Sequence, residues 1–221
     1  IRDMLPGVPV LALTATATPE VVDDIQKQLG FSTPNVFRMS FERKNLAYIV
    51  RRTDNKADEL LHILQSVTGS AIVYTRSRKR TKDTAQWLNA NGISATFYHA
   101  GLSNDDKDAR QKSWVSGQQR VMVATNAFGM GIDKSNVRWI IHYNLPKSIE
   151  SFYQEIGRAG RDGLPGDTLL FYSLGDIVLL SKFASESNQQ EINMEKLKRM
   201  QQYAEADICR RRILLNYFGE T

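Results

Sequence analysis

The chain has 221 residues, and its 29 lysines and arginines exceed its 24 aspartates and glutamates, which gives a formal net charge of +5 at pH 7. Its 42% hydrophobic and 24% charged composition is ordinary for a globular protein and argues against a disordered or fibrous chain. No stretch of about 18 apolar residues occurs, so the sequence predicts no membrane-spanning helix, and the mild basic excess permits an acidic partner such as nucleic acid.

Cysteine content and the first residues add two expectations about context. Cys209 is the single cysteine, so it has no partner for an internal disulfide, and this favours a cytosolic setting. The chain opens with IRDMLPGVPV, which lacks the basic start, long apolar middle and cleavage site of a signal peptide. Because the first residue is not Met and strand-like sequence begins by Val8, we expect a piece of a larger protein.

The first predicted elements are a strand and a helix. Residues 8–14 (VPVLALT) form a continuous apolar run, which is typical of a buried parallel strand. Thr18 suits a helix N-cap, Pro19 the first helical position and Gly30 the stop, so we predict a helix between them. Residues 31–45 are irregular, and we interpret them as a junction between domains.

Strands and helices then alternate. The predicted strands are 46–50, 70–74, 93–98, 121–125, 139–143 and 168–172, and the predicted helices are 58–67, 81–91, 103–115 and 149–158. This alternation predicts right-handed crossovers and a parallel sheet with helices on both faces. Ligands of such sheets lie beyond the carboxyl ends of the strands, so we expect the chemistry just after Tyr74, Tyr98 and Thr125. From residue 174 the pattern becomes almost entirely helical, which predicts a further module.

The segment QEIGRAGRDG is the most informative. Gln154, Arg158 and Arg161 are spaced i, i+4, i+7, which predicts one face of a helix. Gly157 and Gly160 would each cost about 1 kcal/mol inside a helix, which indicates the close approach of a backbone or ligand. Paired guanidinium groups suit phosphate, and an arginine from a neighbouring domain can stabilise phosphoryl transfer. The alternative is a surface helix with exposed arginines.

Two further regions follow predicted strands. Gly129 and Gly131 form a glycine-rich turn whose N–H groups suit phosphate, and Asp133 suits a ribose hydroxyl or a metal-bound water. The alternative is an ordinary strand–turn connection. Residues 75–82 place hydroxyls and basic side chains where a phosphate backbone could bind, and His99 occupies the equivalent place after the next strand with Gly101. A solvated basic helix start and a plain turn are the alternatives.

The remaining candidates are interpreted as structural. Thr14 and Thr16 lie in a polar turn, His62 and His142 sit in helix- and strand-like contexts, and Cys209 by itself predicts a buried small apolar residue. The sequence has no GxxxxGK[ST] loop, no acidic cluster after a strand for magnesium, and no Cys/His set for zinc. We therefore expect at most half of an active site.

Six segments resemble, in order, motifs of the superfamily 2 helicases, and most closely those of the RecQ family of ATP-dependent DNA helicases. They are LALTATAT (11–18), AIVYTRSR (71–78), ATFYHAGL (95–102), VMVATNAFGMGIDKSNVRWIIHYNLP (121–146), SFYQEIGRAGRDGLPG (151–166) and DICRRRILLNYFGE (207–220). The resemblance implies a RecA-like parallel sheet at 41–183, preceded at 1–40 by the end of a first helicase lobe. It implies the helical start of a zinc-binding module at 184–221.

The same resemblance implies roles for individual residues. Arg161 would be the arginine finger, Arg158 its γ-phosphate partner and Gln154 the residue coupling them to the interface. Gly131 and Asp133 would lie near the nucleotide. The residues implied along the DNA backbone are Thr75, Arg76, His99, Gly101 and Thr125, and those implied to relay nucleotide state are Thr14 and Thr16.

What the chain lacks limits these expectations. The phosphate loop and the DExH box are missing, so ATP and Mg²⁺ would be used by the full-length parent while this chain alone is inactive. The family holds Zn²⁺ with four cysteines, of which only Cys209 is present. We expect single-stranded and duplex DNA and the missing first lobe as partners, a monomeric fragment without a membrane contact, and a cytoplasmic location, or a nuclear one in a eukaryote.

Two alternatives stay open. The first is that the isolated chain is a non-catalytic module that binds nucleic acid or another partner. The second is that it is a lobe of another superfamily 2 member such as an RNA helicase. The segment CRRRILLNYFGE argues against the second.

Overall fold

The computed structural model describes residues 4, 7–33, 35–129 and 132–220. Its helices are α1 Pro19–Gln28, α2 Lys56–Ser66, α3 Arg78–Ala90, α4 Asn104–Val115, α5 Ile149–Ile156, α6 Leu174–Ser185, α7 Gln190–Glu205 and α8 Arg210–Tyr217. Its strands are β1 Leu46–Arg52, β2 Ser70–Tyr74, β3 Ala95–Tyr98, β4 Val121–Ala124, β5 Val137–His142 and β6 Gly166–Tyr172. Within the described ranges, no helix is both long and apolar enough to cross a membrane.

The strands form one six-stranded sheet in the order β1-β6-β5-β2-β4-β3, and every pairing is parallel. The carboxyl ends of all its strands therefore lie at one edge, which we call the carboxyl edge. This arrangement, with helices between the strands and a helical segment after them, confirms the predicted α/β class. β2 lies between β5 and β4, so its end is central to the carboxyl edge.

The central strands are buried on both faces, as their continuous apolar sequences predict. Ile72 and Val73 are both fully buried in β2. Trp114 of α4 is also fully buried, and its indole N–H donates to the carbonyl of Ala71 at 3.2 Å. The same indole packs edge-on against Phe128, with ring centroids 5.5 Å apart, and so supports the chain that leaves β4.

Three helices that follow strands begin with a serine N-cap whose side chain accepts a backbone N–H. Ser77 accepts from the N–H of Arg80, and Ser148 accepts from the N–H of Ser151, both at 3.2 Å. Ser103 accepts from the N–H of Asp106 at 3.1 Å at the start of α4. Each cap contributes about 1 kcal/mol and fixes where the strand-to-helix turn lies.

The chain divides into two compact units. Residues 44–206 hold the complete sheet and helices α2–α7, and the remaining described residues, up to Arg43 and from Asp207, form the other unit. In that smaller unit, Ser40 and the N–H of Phe41 both donate to the Glu220 carboxylate at 2.7 Å. The rings of Phe41 and Phe218 stack with centroids 4.4 Å apart, so the two ends of this unit are joined directly.

The predicted strand at residues 8–14 is wrong. This segment has no regular structure, and Leu11 and Leu13 are 79% and 84% exposed. A strand needs a neighbour to accept its backbone hydrogen bonds, and no strand within the described residues pairs with this segment. The helix predicted after it is confirmed as α1, with Pro19 in its first turn and Gly30 in the left-handed conformation at φ +63°.

Candidate functional site

The polar residues predicted after β2, β3 and β4 lie together at the carboxyl edge. The N–H of Thr75 donates to the carbonyl of Ala124 at 2.8 Å, and the N–H of Thr125 donates to the carbonyl of Tyr98 at 3.2 Å. These bonds continue the sheet ladder one residue beyond the strands. We call Thr75, His99 and Thr125 the strand-end groups, and the register of the sheet places them after adjacent strands.

Two of the strand-end groups are threonines with different environments. The Thr125 hydroxyl accepts from the N–H of Ala127 at 3.4 Å, and the Thr125 carbonyl accepts from the N–H of Phe128 at 3.0 Å, so Thr125 starts a tight turn. Thr75 is 5% exposed, and its hydroxyl oxygen is buried without a hydrogen-bond partner among the described residues. The Thr75 side chain therefore retains unused hydrogen-bonding capacity beside that turn.

His99 lies in a basic cluster. Its ring packs against that of Phe97 with centroids 5.8 Å apart. The guanidinium carbon of Arg110 lies over the Phe97 ring, 3.8 Å from its centroid. Burial, with the nearby charges of Arg78 and Arg110, lowers the pKa of His99 below its ordinary value, which favours the neutral ring. A Cβ at Gly101 would lie 2.9 Å from Arg78 Nη1, so glycine leaves room for that guanidinium.

Arg76 does not extend freely into solvent. Its guanidinium donates to Asp176 Oδ1 at 3.2 Å. Asp176 is 5% exposed, and its other carboxylate oxygen accepts from Lys56 Nζ at 2.5 Å and from the N–H of Leu145 at 3.1 Å. Sequence reasoning missed Asp176, and the signal for it is one acidic residue in the first turn of the otherwise apolar helix α6. This carboxylate ties Arg76 to α2 and to the chain after β5.

The two arginines of the GRAGRDG segment do contact the glycine-rich segment after β4. Arg158 donates through Nη1 to the carbonyl of Gly129, and Arg161 donates through Nη1 to the carbonyl of Ile132 at 3.3 Å. A Cβ at Gly129 would overlap the Arg158 guanidinium, so a side chain at this position would displace Arg158 from its contact. The two segments that were predicted independently from the sequence thus form one structure.

The predicted helical face for these arginines is wrong. Helix α5 ends at Ile156 with Gly157 as its C-cap, and residues 157–163, which we call the arginine turn, are not helical. Gly160 adopts φ +55°, and a Cβ there would lie 2.5 Å from Asn45 Nδ2 and 2.7 Å from the Leu164 carbonyl. Asn45 donates to the carbonyls of Gly160 and Leu164, both at 2.8 Å. The glycines therefore end the helix and admit this amide.

The remaining residues predicted at the nucleotide side differ in their exposure to solvent. Gln154 is exposed on α5, and Asp133 is exposed between β4 and β5. Gly131 lies outside the described residues. Arg161 is exposed, whereas Arg158 is half-buried and its Nε has no hydrogen-bond partner within the described ranges. Arg158 thus has hydrogen-bonding capacity that the described residues do not fill, which fits an anionic ligand.

Sequence reasoning also missed a buried group beside the arginine turn. The Tyr74 hydroxyl donates to the carbonyl of Phe128 at 3.2 Å, and His142 Nε2 lies 2.7 Å from Glu155 Oε2. Burial raises the pKa of Tyr74 above its ordinary value, so its hydroxyl stays protonated and remains a donor. The sequence signal was present, because Tyr74 ends one predicted central strand and His142 is the residue before the end of another.

A cleft of about 640 Å³ opens beside these groups. Thr75 and Arg76 line it from the end of β2, Gln154 lines it from α5, and Phe183 lines it from α6. The candidate coupling residue Gln154 therefore shares a surface with two of the residues implied along DNA.

Residues of the smaller unit are described separately. The N–H of Thr16 donates to the Thr14 hydroxyl at 3.3 Å, so these threonines make a local turn, and their relay role stays a prediction. Cys209 is exposed, which contradicts the buried apolar interpretation. It caps α8, and the backbone N–H groups of Arg212 and Arg211 lower the pKa of its thiol, which favours the metal-binding thiolate.

A complete metal site does not exist within the part of the chain that the structure describes. No group of three or more His, Cys, Asp or Glu residues there could hold a metal ion. Structural zinc sites have four ligands, so Cys209 supplies only one of the four that such a site needs. Asp133 likewise offers one carboxylate toward magnesium.

Two family models match the chain. The helicase conserved C-terminal domain matches residues 55–163, and the RecQ zinc-binding family matches residues 174–221. The first match includes the strand-end groups and the arginine turn, and the second includes helices α6, α7 and α8. Both matches agree with the family that the six segments resemble.

Curated relatives align with nearly the whole chain. The ATP-dependent DNA helicase RecQ of Pasteurella multocida is 42% identical over 100% of this chain, and that of Bacillus subtilis is 42% identical over 96%. The putative ATP-dependent RNA helicase R290 of Acanthamoeba polyphaga mimivirus is 41% identical over 99%. The chain covers 35%, 36% and 41% of these proteins respectively, so it spans little more than a third of their length.

Solved structures share the fold. The DEAD-box protein SrmB of E. coli, bound to the regulator of ribonuclease activity A, matches with a TM-score of 0.55 at 25% identity, over 67% of this chain and 89% of that one. The C-terminal domain of the DEAD-box protein Dbp5 matches with a TM-score of 0.53 at 22% identity, over 70% of this chain and 97% of that one.

Proposed function

Since this chain belongs to the RecQ family of helicases, with the helicase C-terminal lobe and the zinc-binding region of that family, we propose that it is the second motor lobe of an ATP-dependent 3′→5′ DNA helicase that acts in recombination and repair. The observation that carries the proposal is the carboxyl edge of one sheet, where two arginines and three strand-end groups lie in a single compact unit. One body can therefore contact both a nucleotide and a DNA strand.

On the nucleotide side, the proposal assigns the two arginines to ATP. Arg161 is the arginine finger and Arg158 contacts the γ-phosphate, because permanently charged guanidinium groups stabilise charge that develops on a transferring phosphoryl group. The carbonyls of Gly129 and Ile132 hold both guanidinium groups at the same edge. ATP and Mg²⁺ supply the phosphoryl group and its countercharge, with Asp133 and Gly131 near the nucleotide.

On the DNA side, the strand-end groups and Gly101 follow the sugar–phosphate backbone. The Thr75 hydroxyl, which has no hydrogen-bond partner among the described residues, and the cationic cluster around His99 support this assignment. Such contacts give weak sequence preference and strong dependence on salt. Arg76 contributes beside them while Asp176 holds its guanidinium in place.

Coupling between the two sides follows from lobe movement. Closure of the two lobes on ATP brings the arginine turn to the nucleotide, and opening after hydrolysis changes the grip on DNA. Gln154, on the helix that leads into the arginine turn, links the two, and Thr14 and Thr16 relay nucleotide state in the same scheme. Zinc needs ligands beyond this chain in addition to Cys209.

Two other functions compete with this proposal. The first is nucleic-acid binding without catalysis by the chain alone, which the lack of a phosphate loop in its sequence favours. An RNA helicase is favoured by one observation, the 41% identity to the putative RNA helicase R290. RNA that stimulates hydrolysis more than DNA of the same sequence would select this second function.

The test compares the full-length protein with the isolated chain. ATP hydrolysis is measured with and without single-stranded DNA, and binding of labelled DNA is measured at two salt concentrations. We expect DNA-stimulated hydrolysis only in the full-length protein, together with salt-sensitive binding in both. Hydrolysis by the purified chain would contradict the half-site, and a full-length protein that DNA does not stimulate would contradict the helicase function.

A further inference from the structure

Three buried side chains that have no role in the proposed function lie between the strand-end groups and the arginine turn. Tyr74 ends β2, His142 ends β5 and Glu155 lies in the last turn of α5. They are 4%, 1% and 9% exposed, respectively. Polar groups at this depth are stable only when they are hydrogen-bonded, so their partners indicate what they hold in place.

The register of the sheet brings the first two together. Tyr74 and His142 are paired residues of neighbouring parallel strands, and their rings stack with centroids 5.3 Å apart and an angle of 22° between the planes. Phe152 of α5 packs on the imidazole from another side at 5.0 Å. The His142 ring is therefore fixed between a strand and a helix.

A hydrogen bond joins this ring to α5. His142 Nε2 lies 2.7 Å from Glu155 Oε2, and the other ring nitrogen is buried with no partner in the described part of the chain. A proton on Nε2 satisfies both the ring and the carboxylate, because it is the one ring position with an acceptor. The bond fixes the last turn of α5 relative to β5.

Both ends of this group reach the surroundings of Arg158. The Tyr74 hydroxyl donates to the Phe128 carbonyl, and the next carbonyl, that of Gly129, accepts from the Arg158 guanidinium. At the other end, the carbonyl of Glu155 accepts from the N–H of Arg158 at 3.3 Å. The positively charged guanidinium also lowers the Tyr74 pKa against the larger effect of burial.

The same three residues are also connected to the residues proposed to bind DNA. Tyr74 directly precedes Thr75, whose N–H is bonded to the end of β4. A displacement of Thr75 on binding a strand would move the Tyr74 hydroxyl and, through the Phe128 carbonyl, the segment that holds Arg158. Packed interiors transmit such small shifts because they have little free volume.

We propose that Tyr74, His142 and Glu155 form a positioning stack, which holds Arg158 in place and links it to the DNA-facing end of β2. This inference rests on the function proposed above and adds a physical connection between its two sides. The three residues act through Arg158 and contact neither ligand.

The test is Tyr74→Phe in the full-length protein. It removes one hydroxyl and leaves the ring stack intact. A bond of this kind contributes about 1 kcal/mol, so we expect the DNA-stimulated kcat for ATP hydrolysis to fall about five- to tenfold. The KM for ATP, the DNA concentration at half-stimulation and the DNA-independent rate should change less than twofold, roughly the resolution of such assays.

Tyr98→Phe is the matched control. Tyr98 ends the nearby strand β3, and its ring packs on that of Phe128, the residue whose carbonyl accepts from Tyr74, with centroids 4.9 Å apart. The Tyr98 hydroxyl makes no hydrogen bond within the described residues. We expect this variant to hydrolyse ATP like the wild type.

Three results would overturn the positioning role. If Tyr74→Phe and Tyr98→Phe have the same DNA-stimulated rate, the hydroxyl holds nothing that catalysis needs, while the helicase function stands. A parallel loss of stimulated and DNA-independent rates would show a general structural defect. A wild-type protein without any DNA-stimulated hydrolysis would remove the proposed function, and the positioning role with it.

Discussion

Substitution of Gly160 by alanine tests how the arginine turn is built. Gly160 has φ +55°, and left-handed backbone costs an L-residue about 1–2 kcal/mol. The new Cβ would also lie 2.5 Å from Asn45 Nδ2 and 2.7 Å from the Leu164 carbonyl. Because both hydrogen bonds of the Asn45 amide depend on this approach, their loss adds about 2 kcal/mol.

Gly163→Ala provides the comparison within the same turn. Gly163 has φ +81°, and a Cβ there would have no atom of the described residues within 4 Å, so its substitution incurs only the conformational cost. We expect the two variants to differ by about 2 kcal/mol in unfolding free energy, or about 4–8 °C in Tm for a domain of this size. Thermal unfolding of the isolated chain, followed by circular dichroism, measures this difference. Equal Tm values would refute the role assigned to the Asn45 contact.

Three further outcomes can be measured on the same chain. Asp176→Asn leaves Lys56 and Arg76 without their buried countercharge and should lower the free energy of unfolding in urea by about 3 kcal/mol. Glu59→Gln breaks an exposed pair with Arg51 and should change this free energy little. Equal losses in the two variants would contradict the stabilising role of the buried Asp176 pairs. Because the pKa of His99 is lowered in the folded state, the unfolded chain gains the proton first as pH falls through the ordinary value of 6.5. Wild-type stability should therefore decline below that pH more steeply than in His99→Asn, and identical profiles would contradict the shift. Ser103→Ala should lower stability by about 1 kcal/mol through loss of the α4 cap, and an unchanged urea midpoint would contradict it.

The clustering of Thr75, His99 and Thr125 could be predicted from the sequence. Alternating strands and helices require a parallel sheet, and parallel strands place all their carboxyl ends at one edge. The register between β2, β4 and β3 then makes these residues neighbours. No knowledge of side-chain contacts was needed for this step.

The geometry of the arginines could not be predicted in the same way. A spacing of i, i+4, i+7 is compatible with a continuous helix through Gln154, Arg158 and Arg161. It is also compatible with a helix that ends between Gln154 and Arg158, as α5 does. The contact that stabilises the non-helical arginine turn joins Gly160 to Asn45, which is 115 residues away along the chain. Such a contact has no local signature.

The same limit applies to charge pairing and to the N-terminal segment. The pair between Arg76 and Asp176 joins residues 100 positions apart, so nothing near Arg76 in the sequence predicts that its guanidinium is paired. The apolar composition of residues 8–14 is typical of a strand, but a strand also needs a neighbour, and composition does not reveal whether one is present.

The measurement that tests the second-lobe function most directly is ATP hydrolysis by the full-length protein, with saturating single-stranded DNA, in wild type and Arg161→Ala. We expect kcat to fall by roughly a thousandfold or more, since an arginine finger contributes that much, while ATP binding persists. Arg199→Ala, which removes an exposed arginine of α7, should leave kcat unchanged. Wild-type turnover in Arg161→Ala would contradict the proposal that this lobe supplies the arginine finger.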